Sequence, residues 1–401
     1  MEFKTISVFR KLRRIIAAAL LGAGASGGIA EAEARAPSKG SAPAIRPGTL
    51  IDTQPIRLVP EGARAYRVLY RSTGVRGEPV DVSGVIIIPS GPAPEGGRPI
   101  IAWAHPTTGI VDRCAPSESL TLFPSIQGLG KMLRRGFIVA ATDYEGLGTP
   151  GLHPYLVGDS EAHSVIDSVR AAIQLAGPGG ARSEYAVWGH SQGGHAALFT
   201  GMIARRYAPE LTLVGVAAAA PATELATLLV ADLDTSGGRN IAAMTLWSWA
   251  RVYGAPMSKG VVPAAIATVN DLADECLQTL ADVMRRAAPI RALERRFLTS
   301  KDFASYEPWK SLLARNTPGT LPPDLPVFLA QGGADELVLP RVTDYYRNRL
   351  CEAGSPVAFE LVPGAGHMLI ARDTAPIAIQ WIRDRFAGEP APSNCGRDPV
   401  D

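Results

Sequence analysis

Ser191 lies within GHSQG, residues 189–193, and a serine flanked in this way is a candidate nucleophile for acyl transfer. A serine hydroxyl is a weak nucleophile near neutral pH. It needs a base to take its proton and a third group to orient that base. The G-x-S-x-G pattern says little alone. Its context says more: the run YAVWG before it reads as a strand and the Ala-rich run after it as a helix. The serine then falls on a sharp strand-to-helix turn, where glycines let neighbouring backbone pass closely and leave the hydroxyl exposed above the sheet edge.

In such hydrolases the acid and then the histidine follow the serine along the chain. Of the six histidines, His105, His153, His163, His190 and His195 precede or closely follow Ser191, which leaves His367 in the glycine-rich turn LVPGAGHM. Asp335, in GGADELV after the apolar run PVFLAQ, is the expected acid; the adjacent Glu336 and the earlier Asp324 are the other carboxylates in range. The oxyanion of a tetrahedral intermediate needs backbone donors. One is expected from the N–H of Gln192 and the second from the loop HPTTG, residues 105–109, with Thr107 favoured over Thr108. His190 and His195 lack a neighbouring carboxylate or cysteine at ligand spacing and read as packing residues, so no metal is expected. The run TDYEGLGTPG, residues 142–151, follows a strand and could line the pocket floor, with Asp143 and Glu145 as structural hydrogen-bonding partners. The expected chemistry calls for no cofactor.

Three residues from distant parts of the chain must be gathered at one edge of a sheet. Eight strand candidates are available: Ala63 to Thr73, Val80 to Pro89, Pro99 to His105, Phe137 to Thr142, Tyr185 to Gly189, Leu211 to Ala218, Pro326 to Gln331 and Val357 to Val362. The first two alternate in character, as a half-exposed antiparallel pair does. Later ones, such as IIAWA and FIVAA, are continuous apolar runs, the pattern of parallel strands buried on both faces. Helical patterns at Ile126 to Arg135, Ser160 to Leu175, Gly194 to Tyr207 and Ala375 to Phe386 alternate with them, which predicts a doubly wound α/β sheet. Residues 222–320 break the rhythm with helical periodicity alone and read as an inserted cap. The core is then divided into 51–221 and 321–388, with a tail over 389–401. Leu246, Trp247, Trp249, Tyr253 and Trp309 in the cap fit an apolar acyl channel, a lid at a lipid–water interface, or the cap's own core.

Composition bounds the alternatives. The chain has 401 residues, 46% hydrophobic and 19% charged, enough for a large core, and its formal charge of +2 shows no basic cluster for nucleic acid. Residues 1–34 read as a signal peptide: a basic stretch with Lys4, Arg10, Lys11, Arg13 and Arg14 precedes the apolar run Ile15 to Ala25, and small residues follow at Ala30 to Ala34. The apolar run is shorter than the ~20 residues that span a bilayer. Five of 40 basic and three of 38 acidic residues lie in that segment, so the mature chain is close to neutral. Residues 35–50, rich in Pro, Ala, Gly and Ser, read as a flexible leader. Cys114, Cys276, Cys351 and Cys395 make an even set in a chain expected to be exported, periplasmic or secreted, where thiols pair; spacing alone does not choose among three pairings.

Taken jointly, AHPTTG, CAPS at 114–117, TDYEGLG, GHSQGG, ADELV and GAGH resemble the secretory lipase family, from roughly Ile51 to Phe386. That resemblance implies an α/β-hydrolase fold with a mostly parallel eight-stranded sheet and a large helical cap. It implies hydrolysis of acylglycerols and other carboxylic esters, with a small-molecule or lipid ester as partner. It implies a triad of Ser191, Asp335 and His367, and disulfides Cys114–Cys276 and Cys351–Cys395. The chain departs from the family's fungal pattern in the oxyanion loop, where threonines and glycine stand in place of an aspartate. Acyltransferases, peptidases and polyester depolymerases use the same constellation, so the fold leaves the acyl acceptor and substrate open.

Overall fold

The computed structural model describes residues 46–231, 233, 235–293, 297–300 and 302–396. The expected signal peptide lies outside the described residues, as do residues 35–45 of the expected leader. Nine strands form one sheet: β1 (Leu50–Ile56), β2 (Ala63–Thr73), β3 (Pro79–Pro89), β4 (Arg98–Ala104), β5 (Ile138–Thr142), β6 (Ala181–His190), β7 (Thr212–Ala219), β8 (Val327–Gly332) and β9 (Val357–Val362). Their order is β1-β2-β3-β5-β4-β6-β7-β8-β9. The pairs from β1 to β5 are antiparallel, and those from β5 through β4 to β9 are parallel. The sheet thus has one strand more than the eight expected. The extra strand, β1, begins at Leu50, within the stretch read as leader.

The helices are α1 (Leu122–Ser125), α2 (Leu129–Arg134), α3 (Gly158–Ala176), α4 (Gln192–Tyr207), α5 (Leu225–Ala231), α6 (Ser236–Val252), α7 (Ile266–Ala273), α8 (Leu280–Ala292), α9 (Trp309–Asn316), α10 (Pro340–Glu352) and α11 (His367–Phe386). Strand alternation decides what each covers, because successive side chains point to opposite faces. In β4, Ile100, Ala102 and Ala104 pack into the core formed with α3, α4 and α10. Ile101 and Trp103 pack with α2, α11 and the helices that follow β7. Both faces are dry, which is why the central strands read as continuous apolar runs.

Between β7 and β8 the chain builds α5 to α9, and among the described residues its extended pairing there is limited to the bridge of Val261 with Leu298. The disulfide Cys114–Cys276 joins this segment to the loop after β4, and Cys351–Cys395 joins the end of α10 to the stretch beyond α11. These are the two pairings that the family resemblance implied. α11 differs from expectation: it begins at His367, eight residues before the expected start at Ala375. Pro376 lies inside this helix, where its missing N–H leaves the Arg372 carbonyl without the usual backbone partner.

Candidate active site

Ser191 sits between the end of β6 and the start of α4 with φ 57° and ψ −117°, a left-handed conformation that costs a non-glycine residue roughly 1–3 kcal/mol. The neighbouring backbone holds it there. Its N–H donates to the Ala219 carbonyl at 2.9 Å, and its own carbonyl accepts from His195 N at 3.0 Å. The flanking glycines are steric requirements. A Cβ on Gly189 would lie 2.0 Å from the Gly193 carbonyl oxygen, and one on Gly193 would lie 1.9 Å from that of Ala104. Strand β4 therefore runs so close beneath the turn that only glycine fits.

Asp335 and His367 follow β8 and β9, so all three candidate residues lie at the carboxyl ends of parallel strands, where open α/β sheets place their sites. His367 Nε2 is 2.9 Å from Ser191 Oγ, and its Nδ1 is 2.8 Å from Asp335 Oδ2. Oδ1 of Asp335 accepts from Leu337 N at 2.9 Å and Val338 N at 2.8 Å, while Oδ2 also accepts from Gln331 Nε2 at 3.2 Å. Burial alone would raise the Asp335 carboxyl, but His367 and these two backbone donors outweigh it and hold the group below its ordinary value. The alternative carboxylates lie elsewhere. Glu336 is exposed, and Asp324 pairs with Arg205 at the surface.

His190 packs its ring 4.9 Å from that of His367 and bonds the His367 carbonyl through Nε2 at 3.0 Å. Burial, and then repulsion from His367, lower its pKa to about 3, so it is neutral and donates that bond. Gln192 opens α4, where a backbone N–H has no acceptor within the helix and is free for an oxyanion. Its side chain is fixed from below: Nε2 donates to Glu161 Oε1 at 2.8 Å and to His153 Nε2 at 3.0 Å. His153, lowered to about 3 chiefly by burial, is neutral and donates Nδ1–H to the Glu145 carbonyl. Glu161 also accepts from His195 Nδ1 at 2.6 Å, and both side chains are fully buried. Sequence reading missed Glu161. It treated His195 as packing, which its burial matches, but gave no hint that this pair anchors the residue after Ser191.

A cavity of about 370 Å³ opens over the site, lined among others by Thr107, Thr108, His190, Ser191, His367 and Met368. Both threonines proposed for the oxyanion loop therefore face it. Thr107 is held through its hydroxyl to Tyr155 at 2.8 Å, and the Thr108 carbonyl accepts from Leu277 N at 2.7 Å, beside the Cys114–Cys276 bridge. Asp143 and Glu145 line neither this cavity nor a smaller one against Ser191. Asp143 instead accepts from the Ser83 hydroxyl and the Ser117 N–H, and Glu145 from the Ser160 hydroxyl, so both are the structural hydrogen-bonding partners expected of them. Leu246, Trp247, Trp249, Tyr253 and Trp309 line neither of these two cavities. Leu246, Trp249 and Trp309 are buried among other apolar side chains, and Trp249 Nε1 donates to the Tyr155 carbonyl at 2.9 Å. Among the described residues no three His, Cys, Asp or Glu side chains gather as a metal site.

Residues 121–394 match the model of the secretory lipase family. The chain belongs to that family. With it the chain joins the carboxylic ester hydrolases. Its relatives include a probable inactive lipase of Mycobacterium tuberculosis, 25% identical over 86% of this chain and 79% of the other. Lipase A of Arthroderma benhamiae is 25% identical over 87% and 75%. Among solved structures, Candida antarctica lipase A in its closed state superposes with a TM-score of 0.72 at 19% identity, covering 88% of this chain and 85% of that one. The rice cell wall degrading esterase LipA from Xanthomonas oryzae gives 0.71 at 23%, covering 84% and 99%. At such identities the structural likeness shows a shared α/β-hydrolase fold.

Proposed function

We propose that this secretory lipase family member is an exported serine esterase that works through an acyl-enzyme on Ser191. The unbroken hydrogen-bond chain from Ser191 Oγ through His367 to Asp335 at the base of a cavity carries the reading. One relative is named a probable inactive lipase, and the complete chain of donors and acceptors here is the argument for turnover.

Ser191 Oγ attacks the ester carbonyl carbon as His367 Nε2 takes its proton. Asp335, held ionised, keeps the second proton on Nδ1 and stabilises the imidazolium as it forms. The oxyanion accepts from the Gln192 N–H and from a backbone N–H at Thr107; removing one such donor typically costs about 3–4 kcal/mol of transition-state stabilisation. Collapse breaks the bond to the alcohol oxygen, which takes the proton from His367 Nε2. Water then attacks the acyl-enzyme and gives its proton to His367; as the acyl–Oγ bond breaks, His367 Nε2 returns that proton to Ser191 Oγ, and the acid leaves. The cap is residues 222–320. Two disulfides suit an oxidising compartment, in line with the basic and apolar leader.

Ser191→Ala tests the assignment. It should lower hydrolysis of a chromogenic ester by at least about 10⁴-fold, the scale on which such units fail, with the thermal unfolding midpoint unchanged. Undiminished turnover in the folded variant would refute the role of Ser191.

A further inference from the structure

Two unequal cavities meet at Ser191. The large one, about 370 Å³, includes His367 in its wall. The small one, about 30 Å³, is bounded by Tyr155, Leu156, Gln192, Ala222, Leu228 and Val338, without His367. Ile241 and Leu337 line both and form the partition. An ester bound for attack places its acyl chain and its alcohol on opposite sides of the carbonyl carbon. Proton transfer decides which goes where, because the departing alkoxide must reach the proton on His367 Nε2. The alcohol therefore lies in the large cavity, and the acyl chain is left with the small one.

The small cavity sets a length. It has less than a tenth of the room of the large cavity, about 30 against 370 Å³, so it takes the shorter half of the ester. Its walls are fixed. Leu337 and Val338 donate their N–H groups to Asp335, so they cannot recede without loosening the acid of the site. Leu156, in a left-handed conformation at φ 53°, donates to Glu161 Oε1 at 3.1 Å, the same oxygen that holds Gln192. Ala222 and Leu228 are buried.

Resting on the serine-esterase reading above, the geometry points to a short-acyl esterase. Its substrates are esters with a short acyl portion and a larger alcohol portion, short-chain glycerides among them. The test holds the leaving group constant in a p-nitrophenyl series from acetate to palmitate. The expected kcat/KM peaks between acetate and butyrate and falls at least tenfold by octanoate. Leu228→Ala should raise the octanoate-to-butyrate ratio at least tenfold, and Ala222→Val should lower butyrate relative to acetate, each checked for folding by thermal unfolding. Turnover of no ester by the wild-type chain overturns the serine-esterase reading itself. A wild-type peak at octanoate or longer overturns only the acyl-length inference. If both folded variants leave the ratios unmoved, the acyl chain does not occupy the small cavity and the assignment of the two halves is refuted.

Discussion

Replacing Asp335 by Asn probes the proposed triad most sharply, because the surroundings dictate which way the amide must face. Oδ1 accepts from two backbone donors, Leu337 N and Val338 N, at 2.9 and 2.8 Å. An amide nitrogen there would set donor against donor twice, so the asparagine carbonyl must take that position. Its NH₂ then faces His367 Nδ1, where the carboxylate oxygen had stood at 2.8 Å. A donor in that place forces Nδ1 to accept and moves the imidazole proton to Nε2. Nε2, 2.9 Å from Ser191 Oγ, can then no longer take the serine proton. The expected loss in kcat is about 10⁴-fold, or about 5 kcal/mol of barrier. Folding should suffer far less: Gln331 Nε2 loses an acceptor but keeps the Val338 carbonyl at 2.9 Å, so the cost is about 1–3 kcal/mol. Steady-state hydrolysis of p-nitrophenyl acetate alongside urea unfolding separates the two quantities. A folded Asp335→Asn enzyme that keeps more than a tenth of wild-type kcat would refute the tautomer argument.

Two further perturbations test what surrounds the site. Glu145 is pushed up to about 7 from 4.5, chiefly by burial. Between those values the folded carboxyl holds a proton the unfolded chain has lost, so stability falls as pH rises through the window, by roughly 3 kcal/mol in all. Glu145→Gln, which keeps an acceptor for the Ser160 hydroxyl, should flatten that slope and unfold at higher temperature than wild type at pH 8; an unchanged pH dependence would show that Glu145 does not titrate there. Cys114→Ser opens a bridge between residues 162 apart in sequence, a constraint worth roughly 5 kcal/mol by chain entropy. The urea midpoint should drop accordingly under oxidising conditions, and a loss below about 1 kcal/mol would mean that native packing, not the bridge, holds the segment after β7 to the loop after β4.

The legibility of this chain tracks the range of the interaction that decides each feature. Strands β2 and β9 begin and end where the apolar pattern and turn residues put them, because those signals are local. β1 escaped because LIDTQPI is mostly exposed and carries Pro55; an edge strand with one partner needs no apolar alternation and tolerates proline. At the site, Ser191 was legible because close backbone contact demands glycine on both sides, and glycine is visible in sequence. Asp335 was legible ahead of the adjacent Glu336 from its place at a strand's carboxyl end, and the turn supplies the reason: backbone donors at Leu337 and Val338 capture the Asp335 carboxylate, while Glu336 is exposed. Glu161 and His195 lie on different helices, 34 residues apart, and no spacing rule links them. Yet Glu161 bonds both the Gln192 side chain and the Leu156 N–H. One buried carboxylate thereby joins the proposed oxyanion donor to the wall of the small cavity, so acyl length and transition-state binding share a support. A change at Glu161 should disturb both together, whereas Leu228, which touches the cavity alone, should alter chain-length preference with little effect on the rate with acetate.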